Sequence, residues 1–166
     1  MAVPTGYSLI TGNAMAAASA PGTVDTTQKM PFNTVATGTD AVGGFAEYIY
    51  LKGVASTIVG SVVTYDEAGV TTLLVTGAVG PVAVSLGIVD STSKYGWYGI
   101  TGCFPTDVVA STVDNGKLGY ETASGKVGDG FTAGDQIVGA ISRAATTGAA
   151  VVNCQFSRPF TGVNVA

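Results

Sequence analysis

One stretch constrains the fold more than any other. It runs Val82-Ala83-Val84-Ser85-Leu86-Gly87-Ile88-Val89 and, after Asp90-Ser91-Thr92-Ser93-Lys94, continues Tyr95-Gly96-Trp97-Tyr98-Gly99-Ile100-Thr101-Gly102. In the first half large apolar residues alternate with Ala83, Ser85 and Gly87. A period of two puts one set of side chains into a core and leaves the other face open to close approach, which is strand behaviour. The polar Asp90–Lys94 segment predicts a hairpin turn. The second half carries the chain's single Trp among glycines, where a bulge or a close backbone approach is expected. An all-β core is therefore expected to form around this hairpin.

The remaining chain follows the same rule. Ala46–Lys52 alternates and ends at Gly53; Thr57–Tyr65 reads as a central strand, apolar on both faces; Asp66–Gly69 is a turn; Val70–Thr76 returns. Pro105–Thr112 reads as a separate strand, Asp114-Asn115-Gly116 as a strong turn, and Lys117–Thr122 as a short strand. Ala123-Ser124-Gly125 turns the chain into Lys126-Val127, and Gly128–Asp135 is a loop. A last hairpin pairs Ile137–Ala145 with Ala149–Phe156, where Val152, Cys154 and Phe156 face opposite to Val151, Asn153 and Gln155. Short strands with turn signals at close intervals predict a small antiparallel β-barrel or sandwich without a long helix.

Residues 1–44 break the pattern. They hold Pro4, Pro21 and Pro31, an Ala-rich run at residues 14–18, and scattered apolar anchors at Tyr7, Leu9, Ile10, Val24, Met30 and Phe32. A disordered tail would carry more charge and fewer anchors, so an extended N-terminal arm ordered on a neighbouring subunit is expected. The alternative is a strand and irregular loop packed on their own domain. The division is an arm over 1–44, a β domain over 45–160 and a short tail over 161–166.

Charged residues make up 11% of the chain against the usual quarter or so, and they sum to −4. Lysines and arginines stand singly, with no basic stripe for phosphates, so nucleic acid is not expected as a partner. A surface of Thr, Ser, Gly and Val is weakly protected against association, which points to coverage in an assembly. Ala18-Ser19-Ala20 has a small-x-small form but lacks the basic and apolar regions of a leader, and no apolar run suits a membrane helix. A soluble, cytoplasmically made chain with no membrane partner is expected, with Cys103 and Cys154 as small reduced core residues.

The chain contains no histidine, which removes Ser-His-Asp, Cys-His and His-zinc chemistry together. Cys103 has no basic sequence neighbour to lower its pKa. Asp66, Glu67, Asp114, Glu121, Asp129 and Asp135 lie in or beside turns, where carboxylates cap backbone. Asp129 and Asp135 do not have calcium-loop spacing, and Gly125–Gly130 lacks the Lys-Ser/Thr of a phosphate loop. No catalytic, cofactor-binding or metal-binding residues and no enzyme activity are expected. Trp97 is expected to fill the domain core while Tyr98 faces partly outward; an interface or a sugar-stacking platform of Tyr95, Trp97 and Tyr98 is the alternative.

From about Glu47 to Phe160 the chain resembles the tailed-phage capsid decoration, or head cement, proteins of the small β-barrel type. The resemblance lies in the order and spacing of Gly60-Ser61-Val62-Val63-Thr64-Tyr65-Asp66, Leu86-Gly87-Ile88-Val89, Tyr95–Gly102, Asn115–Tyr120, Ser124–Val127, Val138–Ile141, Ala149–Val152 and Arg158-Pro159. The resemblance implies a non-enzymatic virion structural protein on the capsid exterior. Its partners would be the major capsid protein and copies of itself, a trimer being favoured, and it would stabilise contacts between capsid subunits. Tyr7, Leu9, Ile10, Phe32 and Tyr98 are the candidate capsid or subunit contacts. The alternatives are another virion component (tail, fibre base or minor head protein), or a carbohydrate or host-surface binding module using Tyr95, Trp97 and Tyr98.

Overall fold

A computed structural model describes residues 8–9, 19–131 and 134–162. Among them the fold is all-β, with no helix. The strands are β1 Ser8–Leu9, β2 Val24–Asp25, β3 Val35–Thr39, β4 Phe45–Lys52, β5 Val62–Tyr65 and β6 Thr71–Leu73. They continue with β7 Gly80–Ser85, β8 Tyr95–Val108, β9 Lys117–Tyr120, β10 Val127–Gly128, β11 Gln136–Ser142 and β12 Ala150–Thr161. All belong to one sheet of order β1-β3-β4-β8-β10-β9-β11-β12-β7-β5-β6, with β2 added to β8. Because β8 also pairs with β12, the strands β8, β10, β9, β11 and β12 close a ring.

The two longest strands, β8 and β12, organise this ring. They pair antiparallel from Ala150↔Val108 to Ser157↔Thr101 without a register break. In β12 the alternation is as expected: Cys154 and Phe156 are buried, and Val151, Asn153 and Gln155 are exposed. The strand runs on to Thr161, which is fully buried, so the domain does not stop at 160.

The β8 strand corrects one expectation and bears out another, the bulge among its glycines. Residues 105–108 are not a separate strand but continue the aromatic one. Pro105 is tolerated within it because the ladder needs only alternate N–H groups on a given side. Midway, β8 exchanges faces. Glu47 of β4 lies opposite Thr101, yet Tyr48 lies opposite Gly99, so Ile100 is an extra residue in β8. Gly102 then takes φ of 125°, a conformation open to glycine. Trp97 precedes the exchange and Phe104 follows it, and both enter the same large core despite their opposite parity. The Phe104 ring lies over Gly99, where an added Cβ would come within 2.4 Å of it.

Two hydrophobic clusters result. The larger holds Tyr48, Tyr50, Val82, Val84, Leu86, Trp97, Phe104, Leu118, Ile137 and Phe156. The smaller lies on the reverse of β4, β7 and β8 and holds Ile49, Leu51, Val63, Ala83, Val89, Tyr98 and Ile100. The β5–β6 hairpin helps close it: Lys52 N donates to Gly69 O at 3.0 Å, and Asn33 Nδ2 donates to Glu67 O at 2.8 Å. Burying each such side chain is worth about 1.5–3 kcal/mol relative to exposure, so both faces contribute to stability.

The described part of the expected arm lies on its own domain. The β2 strand pairs with β8, β3 pairs with β4, and β1 pairs with β3 through Ser8↔Thr39 and Leu9↔Gly38. Ala36 is buried, and Met30 and Phe32 pack on the larger core. The alternative of an N-terminal segment packed on its own domain therefore holds for residues 19–44. Two other strands are shorter than expected: β5 begins at Val62 rather than Thr57, and β7 ends at Ser85, before a bend at Leu86-Gly87.

Candidate interaction surface

Trp97 and Tyr98 are neighbours in a strand and must point to opposite faces. Both faces are covered, so Trp97 is 1% and Tyr98 0% exposed. This corrects two expectations: Tyr98 is not a surface contact, and Tyr95, Trp97 and Tyr98 do not form a ligand platform. Trp97 Nε1–H donates to Ser19 O at 2.8 Å, and its ring meets Tyr50 edge-on at 5.2 Å. Tyr95 instead stacks on half-buried Phe32 at 5.9 Å, which places Phe32 against its own domain. Of the other candidate contacts, Leu9 contributes backbone to β1, while Tyr7 and Ile10 lie outside the described residues.

Beneath Trp97 a buried polar group is assembled from distant segments. Asp25, 4% exposed, accepts from Tyr50 OH at 2.9 Å and from Ser19 Oγ, and pairs with Lys29 Nζ at 3.0 Å. Burial is the main cause that pushes the Tyr50 hydroxyl up to about 12, and Asp25 adds to it. The phenol therefore stays protonated and donates.

The carboxylates expected to cap backbone include Asp66, whose Oδ1 accepts from Ala68 N and Val70 N. Asp129 Oδ2 accepts from Val113 N at 2.7 Å. Among the described residues no three His, Cys, Asp or Glu side chains converge as metal ligands. Both cysteines are free thiols. Cys154 is buried in the core, and burial pushes it up to about 11. Cys103 is only half-buried, contrary to its expected core position, and burial followed by Asp40 raises its thiol.

The outward face of β8 and β12 lies on the two longest strands of the fold. Cross-strand rows Ser157/Thr101, Gln155/Cys103 and Asn153/Pro105 carry no charge, and the next row pairs Val151 with Asp107. Core-facing partners fix this presentation, because Cys154 and Phe156 lock the strand's phase. The nearby Asp107 is buried and held by Lys126 Nζ at 2.8 Å from both carboxylate oxygens. Charge depletion over a flat sheet face is the composition of an interface centre.

Two ionic groups border the face. Glu47 accepts from Arg158 Nη2 at 2.6 Å and Nε at 2.9 Å, and from Thr101 Oγ1 at 2.6 Å. The Arg158 hydrogen bonds, then that of Thr101, hold the Glu47 carboxyl down at about 2. Arg143 is different. Its Nε donates to Gln155 Oε1 at 2.9 Å, Nη2 donates to the same oxygen, and Nη1 donates to Asn115 Oδ1 at 2.5 Å. These acceptors are neutral.

Beside the face stands the turn joining β3 to β4. Asp40, 3% exposed, accepts through Oδ1 from Val42 N at 3.0 Å and Gly44 N at 2.7 Å, and through Oδ2 from Cys103 N at 2.8 Å. One carboxylate thus closes the turn and ties it to β8. The turn presents Val42 and Phe45, 63% and 61% exposed. A groove of about 500 Å³ runs between Phe45 and the Arg143–Gln155 pair, floored by Phe156. A second groove of about 280 Å³ lies across Arg143 toward Lys117 and Gly139. A further apolar row, Val138–Phe160–Pro81, crosses β11, β12 and β7.

Sequence reasoning missed Asp40, Val42, Phe45 and Arg143. The first three carry a readable signal, since an Asp at the head of Asp40-Ala41-Val42-Gly43-Gly44 suits a side-chain-capped turn. Nothing local marks Arg143. Comparison with protein-family models, with curated proteins and with solved structures yields no match in any of the three. What the fold and surface define is a class: an all-β protein that presents a charge-poor sheet face flanked by a fixed apolar turn.

Proposed function

We propose that this protein is a structural component of a phage virion, a cement protein that binds the capsid exterior and stabilises contacts between major capsid subunits. The observation that carries the reading is the charge-poor outward face of β8–β12 with exposed Val42 and Phe45 beside it. Such a surface suits contact with another protein better than chemistry on a small substrate. The ordered segments that resemble cement proteins, from Gly60–Asp66 to Arg158-Pro159, support it from the sequence side. Self-association, with a trimer favoured, belongs to the same reading, since closed symmetry covers apolar faces and sheet edges.

The test mixes purified protein with expanded capsids that lack it, followed by imaging and heating. Density at fixed lattice positions and greater capsid resistance to heat are expected. Absence of lattice-specific binding sinks the proposal.

A further inference from the structure

We infer that the groove crossing Arg143 is a docking site for a partner polypeptide that brings a carboxylate flanked by apolar side chains. The inference stands on the groove itself and does not depend on the virion reading. Among the described residues Arg143 makes no ion pair; its guanidinium is oriented by two neutral amide oxygens, from Gln155 and Asn115. Two carboxylates bordering this face are held by other groups. Asp40 accepts three backbone N–H groups, and Glu47 is held by Arg158 and Thr101. An arginine so fixed, with no ion pair among the described residues, can offer its fork to an acidic group.

The surroundings specify what accompanies that acid. Arg143 and Gln155 stand between the two grooves, which share Phe156 as their apolar floor. Val42 and Phe45 form an apolar rim on a turn that Asp40 fixes, so little ordering is needed when they are covered. A bare inorganic anion would leave both grooves unfilled. Nucleic acid would need a track of cations, and the linings of the two grooves supply only a pair, Arg143 and Lys117. A polypeptide crossing the ridge matches both features: its carboxylate meets Arg143 while its apolar side chains enter the grooves.

The test titrates the full chain, 15N-labelled, with acetyl-Leu-Glu-Leu-amide and with acetyl-Leu-Gln-Leu-amide. Saturable shifts are expected at the amides of Cys103, Gln155 and Ser157, with the Glu peptide binding about tenfold more tightly. Arg143→Gln should abolish that preference and Arg143→Lys should retain part of it. Phe45→Ser should weaken both peptides and keep their ratio; because Phe45 is exposed, this variant reads the rim independently of any folding defect at Arg143. Four results would overturn the inference: no saturable shifts, equal affinities in the unmodified protein, a preference that survives in Arg143→Gln, or unchanged binding in Phe45→Ser. Equal shifts from sodium acetate at the same concentration would also overturn it, by reducing the site to a bare anion contact.

Discussion

The Trp97 and Tyr98 faces of β8 bury aromatic rings of similar standing but treat their polar atoms differently. On one side the indole N–H reaches Ser19 O, and the neighbouring Tyr50 hydroxyl reaches Asp25. On the other, the buried Tyr98 hydroxyl makes no well-formed hydrogen bond and has only the hydroxyls of Thr71 and Ser85 beside it. Ser85 and Thr71 donate their protons to Gly87 O and Lys52 O, so toward Tyr98 they can act only as acceptors. Burial accordingly raises the Tyr98 pKa well beyond its ordinary value. The Trp97 side is a specified junction between distant segments, whereas the Tyr98 side is filled volume. Aromatic burial alone does not distinguish them; the polar partners do.

Substitutions break or sharpen this contrast. Trp97→Ala should cost about 3–5 kcal/mol in urea unfolding, because it removes a large core side chain and the contact with Ser19 together. A loss below 1 kcal/mol would show that the junction is not specified. Asp25→Ala should cost about 1–3 kcal/mol, since it leaves the Tyr50 hydroxyl without its buried acceptor. Wild-type stability in that variant would place the polar group outside the folding unit.

The third test probes the site where β8 exchanges its two faces. Glu47 is held at about 2 in the folded chain against an ordinary value of 4.5. A depressed carboxyl stabilises the fold above its ordinary pKa, and that contribution drains away as pH falls from about 4.5 toward 2. Glu47→Gln should therefore flatten the acid limb of the stability–pH curve. The effect should shrink in high salt, because Arg158 is 67% exposed. An unaltered acid limb would remove Glu47 from the account. The smallest change is expected for Tyr98→Phe, within about 1 kcal/mol of wild type or slightly more stable, because it deletes a buried hydroxyl that makes no well-formed hydrogen bond. A loss of 2 kcal/mol or more would reveal a partner for that hydroxyl and erase the distinction between the faces.

What could be read from the chain itself follows the range of each signal. The phase of β12 was legible because alternation through Val152, Cys154 and Phe156 is local. So was the turn at Asn115, whose φ of 59° suits its Asn-Gly context. The burial of Tyr98 was not legible, because a period of two cannot say whether the second face is covered, and β5 and β6 decide that from elsewhere. Residues 19–44 looked like an arm because their order comes from pairing with β4 and β8 rather than from their own periodicity. The all-β class needed only local pattern. The surface groove depends on Arg143, Gln155 and Phe45, which share no motif, so it required the assembled sheet.

The ring's dependence on β12 also has a kinetic consequence. This last strand supplies the partner for β8, β11 and part of β7, and Arg158 reaches back 111 residues to Glu47. A nascent chain that has reached only β11 has no strand with which to close the ring. Ring closure must therefore wait until β12 has been made, and the many distant pairings place the domain among slow folders. Until that moment the inner faces of β4 and β8 are exposed to neighbouring chains, and the protein's yield depends on how quickly β12 finds its partners.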